Sequence, residues 1–498
     1  MTILSKNIIA NFAGSAWSAL MGLAFIPMYI SLMGVEAYGI VGFFVSLQAI
    51  FSILDLGLSQ TLNKEMARLS IDPLNAKIMA DTARTLEVIY WGIALGLILI
   101  LVLLSDFIAF HWLNPEKLSR SSLKEALWVM ALTLGLRWPV NLYMGGLNGL
   151  QRQVSVNSII AIFITLQSLG ALAVLWFYEP TVRAFFLWQA LIASLQAITF
   201  HIIFWGSFSH ENKGNFSTGL LKGVWRFAAG MTGISILSTI LTQLDKILLS
   251  RLLPLSEFGY YSFAAVVAAV LYKLVSPIFT AYFPRFTVLV SKNDQSVLSK
   301  TYHQACQLMS LTILPLSLTI AFFSHEIIEL WARDLDIVKN SYILVSMLII
   351  GNALHGLYYL PYALQLANNW TKLALYQNII AVIILGPAIY FVTSVWGALG
   401  AAVVWIILNL GYLFISVQVM HRRLLKNEKW RWYINDVGKQ LIIILLVVYA
   451  GRTLVNDKWQ NIGIIISLIL ILLLAVLGTL LSSKSIRFIF FSAIKGDQ

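Results

Sequence analysis

The sequence predicts an all-α polytopic membrane protein. About fourteen membrane-spanning helices are expected, twelve in two pseudo-symmetric six-helix lobes around a central cleft and two more at the C-terminal end. Three observations predict this. The 498 residues are 59% apolar and 11% charged, whereas a soluble domain carries about 25% charged residues. The apolar residues gather in many separate runs, each long enough to cross a hydrocarbon core of about 30 Å as a helix. The two halves of the chain also resemble each other at a fixed offset.

The runs place spans at 8–30, 38–62, 87–110, 124–145, 156–178, 183–207, 224–250, 258–283, 303–323, 341–364, 373–393, 397–419, 437–454 and 460–482. The first is too long for a signal-peptide core and lacks a clear small-residue cleavage site, so it reads as a retained span. A net charge of +12 would suggest nucleic acid in a soluble protein. Here it reports topology, and no nucleic-acid partner is expected. With a cytoplasmic N-terminus, 22 Lys and Arg lie in loops or span ends on the cytoplasmic side and 9 on the other, so both termini are expected in the cytoplasm. The acidic segment SHEIIELWARDLDIVKN, residues 324–340, falls outside. The single cysteine, Cys306, excludes a disulfide framework and a cysteine-based metal site.

The repeat pairs SLMGVEAYGIVGFFVSLQAIF from Ser31 with RLLPLSEFGYYSFAAVVAAVL from Arg251, an offset of 220 residues that matches Gly39 with Gly259. Six spans per copy is an even number, so the copies share an orientation. A parallel repeat of this kind implies two lobes about an axis along the membrane normal. The expected lobes are 1–215 and 216–420, with 421–498 holding spans 13 and 14 and the tail. LIIILLVVYA and NIGIIISLILILLLAVLGTLL in those last spans have almost no polar face and should meet lipid or form an apolar wall.

Elsewhere the spans carry polar stripes at helical spacing. Span 2 has Gln48, Ser52, Asp55 and Ser59, and span 1 has Asn7, Asn11, Ser15 and Ser18. Span 4 has Thr133, Arg137 and Asn141. Span 7 has Ser235, Ser238, Thr239, Thr242, Gln243, Asp245 and Lys246. Span 8 has Lys273, Ser276 and Thr280, and span 10 has Asn352, His355, Tyr359 and Tyr362. In lipid such groups would be unsatisfied, so they must face protein or water. Interhelical hydrogen bonding is reason enough for the Ser and Thr residues. Asp55, Arg137, Asp245, Lys246 and Lys273 are ionisable and therefore functional candidates. The stripes occupy equivalent places in the two copies and describe one hydrated cleft. Pro27, Pro139, Pro277, Pro315, Pro361 and Pro387 lie in or near spans, where each removes a helix hydrogen bond.

NFAGSAWSALMGLAFIPMYISLMGVEAYGI followed by LDLGLSQTLNKEMAR resembles the amino-terminal signature of polysaccharide-biosynthesis flippases. These are the Wzx-type O-antigen and related exporters of the multidrug/oligosaccharidyl-lipid/polysaccharide superfamily. STILTQLDKILLSRLLPLSEFGYYSFA and SPIFTAYFPRF resemble the second-half signature of that family. The resemblance implies two six-helix lobes that open alternately to each side of a bacterial inner membrane. The implied substrate is an undecaprenyl-diphosphate-linked oligosaccharide, flipped from the cytoplasmic to the periplasmic leaflet. Spans 13 and 14 would help to hold its lipid tail. Coupling would be to an ion gradient, Na+ or H+, with no cofactor. Membrane lipids and other polysaccharide assembly proteins, such as a polymerase and a chain-length regulator, are the expected partners.

On that reading Arg137 and Lys273 suit a diphosphate or acidic sugar, and Asp55, Asn141, Tyr359 and His355 complete the cleft. Asp245 is the ion-coupling candidate, with Thr242 on its face and Asn378 and Gln377 of span 11 as oxygen partners. Lys246 points about 100° from Asp245 on a helix and is expected to be a poor partner. Pairing of Arg137 or Lys273 with Asp55 is the structural alternative. A membrane glycosyltransferase or polymerase is disfavoured, because the longest loops are short and basic, with no metal-spaced His/Asp/Glu cluster and no phosphate-cradling glycine loop. A multidrug exporter and a lipid II flippase of the same superfamily are the nearer alternatives.

Overall fold

The computed structural model of the chain describes residues 3–208, 214–455 and 461–482; the side chains at 3–10, 12, 73, 220–235 and 238 lie outside that description. Asn7, Ser235 and Ser238 of the polar stripes therefore lie outside the described residues.

Each of the fourteen expected spans coincides with helix. In chain order the helices are α1 (Ile3–Ala24), α2 (Ile26–Met33), α3 (Val35–Phe51), α4 (Leu58–Leu69), α5 (Ala76–Phe107), α6 (Arg120–Gly149), α7 (Gln153–Phe177), α8 (Val182–Trp205) and α9 (Thr218–Leu252). They continue as α10 (Leu255–Ala269), α11 (Leu271–Ser291), α12 (Gln295–Phe322), α13 (Ser324–Ala332), α14 (Leu335–Ala367), α15 (Thr371–Gly411), α16 (Val417–Leu424), α17 (Lys429–Arg431), α18 (Lys439–Leu454) and α19 (Asn461–Ser482). Among the described residues, eleven helical stretches are long and apolar enough to cross a membrane. The first span is α1 and α2, parted at Phe25, with Pro27 in the first turn of α2, where a missing N–H costs little. Spans 11 and 12 are one helical run, turned at Gly397 with φ 55° and ψ −143°, a conformation open to glycine.

The second span corrects the expectation of one continuous polar face. Its helix stops after Phe51, continues as a 3-10 turn over Ser52–Asp55, and passes through two left-handed residues, Leu56 (φ 48°) and Gly57 (φ 75°), before α4 begins. Asp55 is therefore the last residue before a break.

The chain forms two compact units, Met1–Gly259 and Tyr260–Gln498. The first includes α9, so its end lies beyond the sequence-based boundary at 215. Its core is built by α4 to α8 around Leu62, Met66, Leu86, Tyr90, Leu142, Tyr143 and Phe200. On α6, Gly145 and Gly149 let α4 come close: a Cβ on either would lie within 2.5 Å of the Ser59 or Asn63 carbonyl oxygen. In the second unit α11, α12, α14 and α15 pack together, and α18 and α19 pack on α12. The outward faces are apolar in both units: Leu95, Leu99 and Leu103 on α5 are exposed, as are Ile462, Ile466, Leu470 and Leu477 on α19. Apolar faces of this extent are a surface for lipid.

Candidate functional site

In the first unit the broken second span and α6 enclose a cavity of about 340 Å³. Gln48 and Ser52 reach it from one side, and Arg137, Trp138 and Asn141 from the other. Pro139 lies inside α6 beside them. Two stripes read separately from the sequence thus meet. Thr133 leaves its stripe: it is fully buried, and its hydroxyl donates back to the Val129 carbonyl at 2.8 Å.

Arg137 is the positive charge of this cavity. Its guanidinium donates to Oε1 of buried Gln189 at 2.7 Å and lies 5.4 Å from the Phe44 ring centroid. Among the described residues it forms no ion pair, so pairing with Asp55 is not its role. Asp55 is held otherwise: Tyr90 OH and Ser59 Oγ, the latter at 2.9 Å, donate to its two oxygens, and the backbone amides of Gly57 and Ser59 also point to it. The broken helix turn explains this carboxylate, because its free N–H groups satisfy an acceptor that lipid could not. Tyr90 in turn packs on Trp138, centroids 6.1 Å apart, linking Asp55 to the cavity wall. The Trp138 indole N–H is buried and has no acceptor among the described residues. The cavity therefore offers an uncompensated cation and several hydrogen-bonding side chains, a lining suited to an anionic, hydroxylated group.

In the second unit a polar aromatic cluster gathers around His355. Its Nδ1 lies 2.9 Å from Tyr272 OH, and its ring faces Tyr359, Trp405 and Tyr412 at 5.2, 5.6 and 6.5 Å. Buried Asn352 accepts from Tyr272 OH at 3.1 Å and from the Trp405 indole at 3.0 Å. Tyr272, Trp405 and Tyr412 were missed by stripe reasoning, since aromatic residues in spans give no signal of their own. Lys273, Ser276 and Thr280 are all exposed on the expected face of α11, and Lys273 forms no ion pair among the described residues.

The ion-coupling candidates have local partners. Lys246 Nζ lies 3.6 Å from Asp245 Oδ1 and donates to the Thr242 carbonyl at 3.0 Å. This corrects the expectation from helix geometry, because a flexible lysine stem bends back where a short side chain could not. Thr242 itself donates to the Thr239 carbonyl at 3.1 Å. Asn378 accepts from Tyr412 OH at 3.4 Å, and Gln377 from Tyr358 OH at 2.9 Å. Among the described residues no group of His, Cys, Asp and Glu has the arrangement of a metal site.

A buried carboxylate in the first unit also escaped the sequence reading. Glu87 on α5 is 2% exposed and sits among Arg84 (2.6 Å), Tyr143 OH (2.7 Å), His201 Nδ1 (2.9 Å) and Trp205 Nε1 (3.0 Å). Arg84 and Glu87 are three residues apart, a helical-pair signal, but nothing local points to the partners on α6 and α8.

The comparisons agree with this architecture. The family model described as Polysaccharide biosynthesis protein matches residues 4–290. A Shigella flexneri protein named "Putative O-antigen transporter" is 22% identical over 400 residues, covering 80% of this chain and 93% of its own. Teichuronic acid biosynthesis protein TuaB of Bacillus subtilis is 23% identical over 341 residues, 66% of each. Among solved structures, lipid II flippase MurJ in an inward closed conformation superposes with a TM-score of 0.71 at 15% identity, covering 96% of this chain and 98% of its own. An inward-facing multidrug resistance MATE family transporter of the MOP superfamily gives 0.65 at 13% identity, covering 82% and 96%. These structures share the fold, and the match over more than half of its length shows that the chain belongs to the polysaccharide biosynthesis protein family.

Proposed function

We propose that this protein is a flippase. It moves an undecaprenyl-diphosphate-linked oligosaccharide, an O-antigen or related surface-polysaccharide unit, from the cytoplasmic to the periplasmic leaflet by alternating access. The observation that carries the reading is Arg137, a cation with no ion-pair partner among the described residues, in a cavity of a membrane-spanning unit that Gln48, Ser52 and Asn141 also line. A sugar head group cannot cross hydrocarbon unaided, because each hydroxyl would lose its hydrogen bonds. A wall bearing Arg137, Asn141, Gln48 and Ser52 replaces them, and a diphosphate supplies the counter-charge. Family membership and the relative named for O-antigen transport support the same substrate class.

Lys273, with His355 and Tyr359, is assigned to the same path in the second unit, and Asp55 to the wall behind Tyr90. The coupling ion is Na+ or H+, with Asp245, Thr242 and Asn378 as the candidate site. The chain works in a bacterial inner membrane with both termini cytoplasmic, alongside a polymerase and a chain-length regulator.

The test is lipid-linked sugar analysis in a strain lacking the gene. The expected result is accumulation of an undecaprenyl-linked oligosaccharide confined to the cytoplasmic leaflet and loss of the surface polymer, both reversed by the intact gene. Accumulation of lipid II instead, or no change in lipid-linked sugars, would overturn the reading.

A further inference from the structure

The second unit contains a buried charged cluster far in sequence from the stripes. His303 on α12 is 1% exposed, and both of its ring nitrogens face carboxylates. Nδ1 contacts Oδ2 of Asp436, and Nε2 lies 3.0 Å from Oε2 of Glu428. Asp436 is fully buried in a π-helical turn, Trp432–Gly438, which opens span 13. Its other oxygen accepts from Gln307 at 2.8 Å. Glu428 precedes that turn, accepts from Ser299 Oγ at 2.8 Å, and lies 3.4 Å from Arg431.

Hydrogen-bond inventory fixes the proton count. A neutral imidazole has one N–H and one lone pair, and an ionised carboxylate only accepts. Neutral His303 between two ionised carboxylates would leave one lone pair facing another. Both contacts close only if the triad holds one additional proton, on the imidazole or on a carboxyl group. We propose that Asp436, His303 and Glu428 form a single-proton binding site that fastens the base of span 13 to α12 and releases it when the proton leaves.

The surroundings favour this role. The titratable neighbours are Tyr302 and Cys306 on α12, His421 on α16, Lys429 and Arg431 on α17, and Tyr433 in the π-helical turn. Tyr282 and Arg285 of α11 lie beyond Cys306. None of these hydrogen-bonds Asp436 among the described residues, so His303 is its charged hydrogen-bond partner and Arg431 acts on it only through space. Burial pushes the Glu428 carboxyl up, but Ser299, His303 and Arg431 outweigh it and hold it below the usual range. The Glu428 side chain, 26% exposed, gives the shared proton a route to water. The turn also has a consequence for the fold around it. Trp432, Tyr433 and Val437 line an apolar cavity of about 280 Å³, with Leu314 and Leu318 of α12 opposite. Proton release would thus loosen one wall of that cavity.

Cys306, the only cysteine and 3% exposed, reports the loosening. Maleimide labelling of the purified full-length protein is followed from about pH 6 to 9, the range in which histidine-linked sites respond. Thiolate formation alone raises the rate with pH, so the reference is Glu428→Gln. Its amide N–H supplies a permanent hydrogen-bond donor to His303 Nε2 where the extra proton would otherwise be needed, and it leaves the charge beside Cys306 unchanged. The expected result is that the rate for the native chain, relative to Glu428→Gln, rises at least roughly fivefold across the range, a modest coupling. Asp436→Asn, the second reference, should likewise lack the excess rise, although removing the charge beside Cys306 changes its absolute rates. A constant ratio for whichever reference folds overturns the proposal. No substrate is present in this measurement, so its outcome is independent of the flippase reading.

Discussion

At the scale of single residues, the environment of a charge distinguishes a working group from a structural one. Arg137 has one neutral partner, Gln189, and an open cavity; Glu87 has four donors and no opening. For Arg137→Ala we expect export of lipid-linked sugar to fall roughly tenfold or more, as loss of a charged hydrogen bond worth about 1.5–3 kcal/mol implies. Arg137→Lys should keep part of it. Gln189→Ala, which removes the positioning contact and leaves the cation, should cost much less; an equal loss would reassign Arg137 to packing. For Glu87→Ala the expected loss is stability, about 1–3 kcal/mol, since buried Tyr143 on α6 and partly buried His201 and Trp205 on α8 lose their acceptor. A thermal melt of the purified protein should show it, while an unchanged melting temperature would contradict the assignment. Glu428 adds an acid limit. Its folded pKa lies below the ordinary value of 4.5, so its contribution is present above that value and is lost as pH falls through the lower folded one. Melting temperatures should drop below about pH 4.5 in the native chain, and less steeply in Glu428→Gln.

At the scale of elements, close helix crossings depend on glycine. Gly39 and Gly259 are repeat equivalents, as are Val35 and Leu255. A Cβ on Gly39 would lie 2.5 Å from the Leu255 carbonyl oxygen, and one on Gly259 2.3 Å from that of Val35. Both partners are rigid backbone, so Gly39→Ala and Gly259→Ala must each separate the helices, at about 1–3 kcal/mol. Melting temperatures equal to the native chain would show that the crossing opens freely. The repeat registered both glycines beforehand, but nothing in the sequence showed that their helices cross. The same holds for much of the fold. The apolar runs fell in helix, since a membrane leaves little choice but helix. The break at Leu56 and Gly57 was hidden, because Leu56 in a left-handed conformation runs against its own preference. The cavity was half legible: Gln48, Ser52, Arg137 and Asn141 stood at helical spacing, whereas Tyr90 and Gln189 joined through tertiary packing alone. The His303 triad was not legible, because it spans residues 303 to 436 and no periodic signal crosses that distance.

At the scale of the whole molecule, the apolar outer faces of each unit require lipid, and the remaining question is which end faces the cytoplasm. Hydrophobicity is symmetric across a bilayer and cannot decide it. Lys and Arg can, because basic loops are retained on the cytoplasmic side, and the count here is 22 to 9. The described structure offers two places to read this directly. Leu74 is 88% exposed in the connection between α4 and α5, and Asn427, at φ 71°, caps a turn between α16 and α17. Both lie in loops that the charge count puts in the cytoplasm, yet they come from opposite ends of the chain and from different compact units. Fusions at the two sites therefore test the parity of all the spans between them. Alkaline phosphatase fused after either residue should be inactive, and a fluorescent protein that folds only in the cytoplasm should be bright at both. Phosphatase activity at both sites would invert the molecule and contradict the proposed direction of transport. Activity at one site alone would mean an odd number of crossings between residues 74 and 427, and the turn at Gly397, where spans 11 and 12 share one helical run, would be the first place to look.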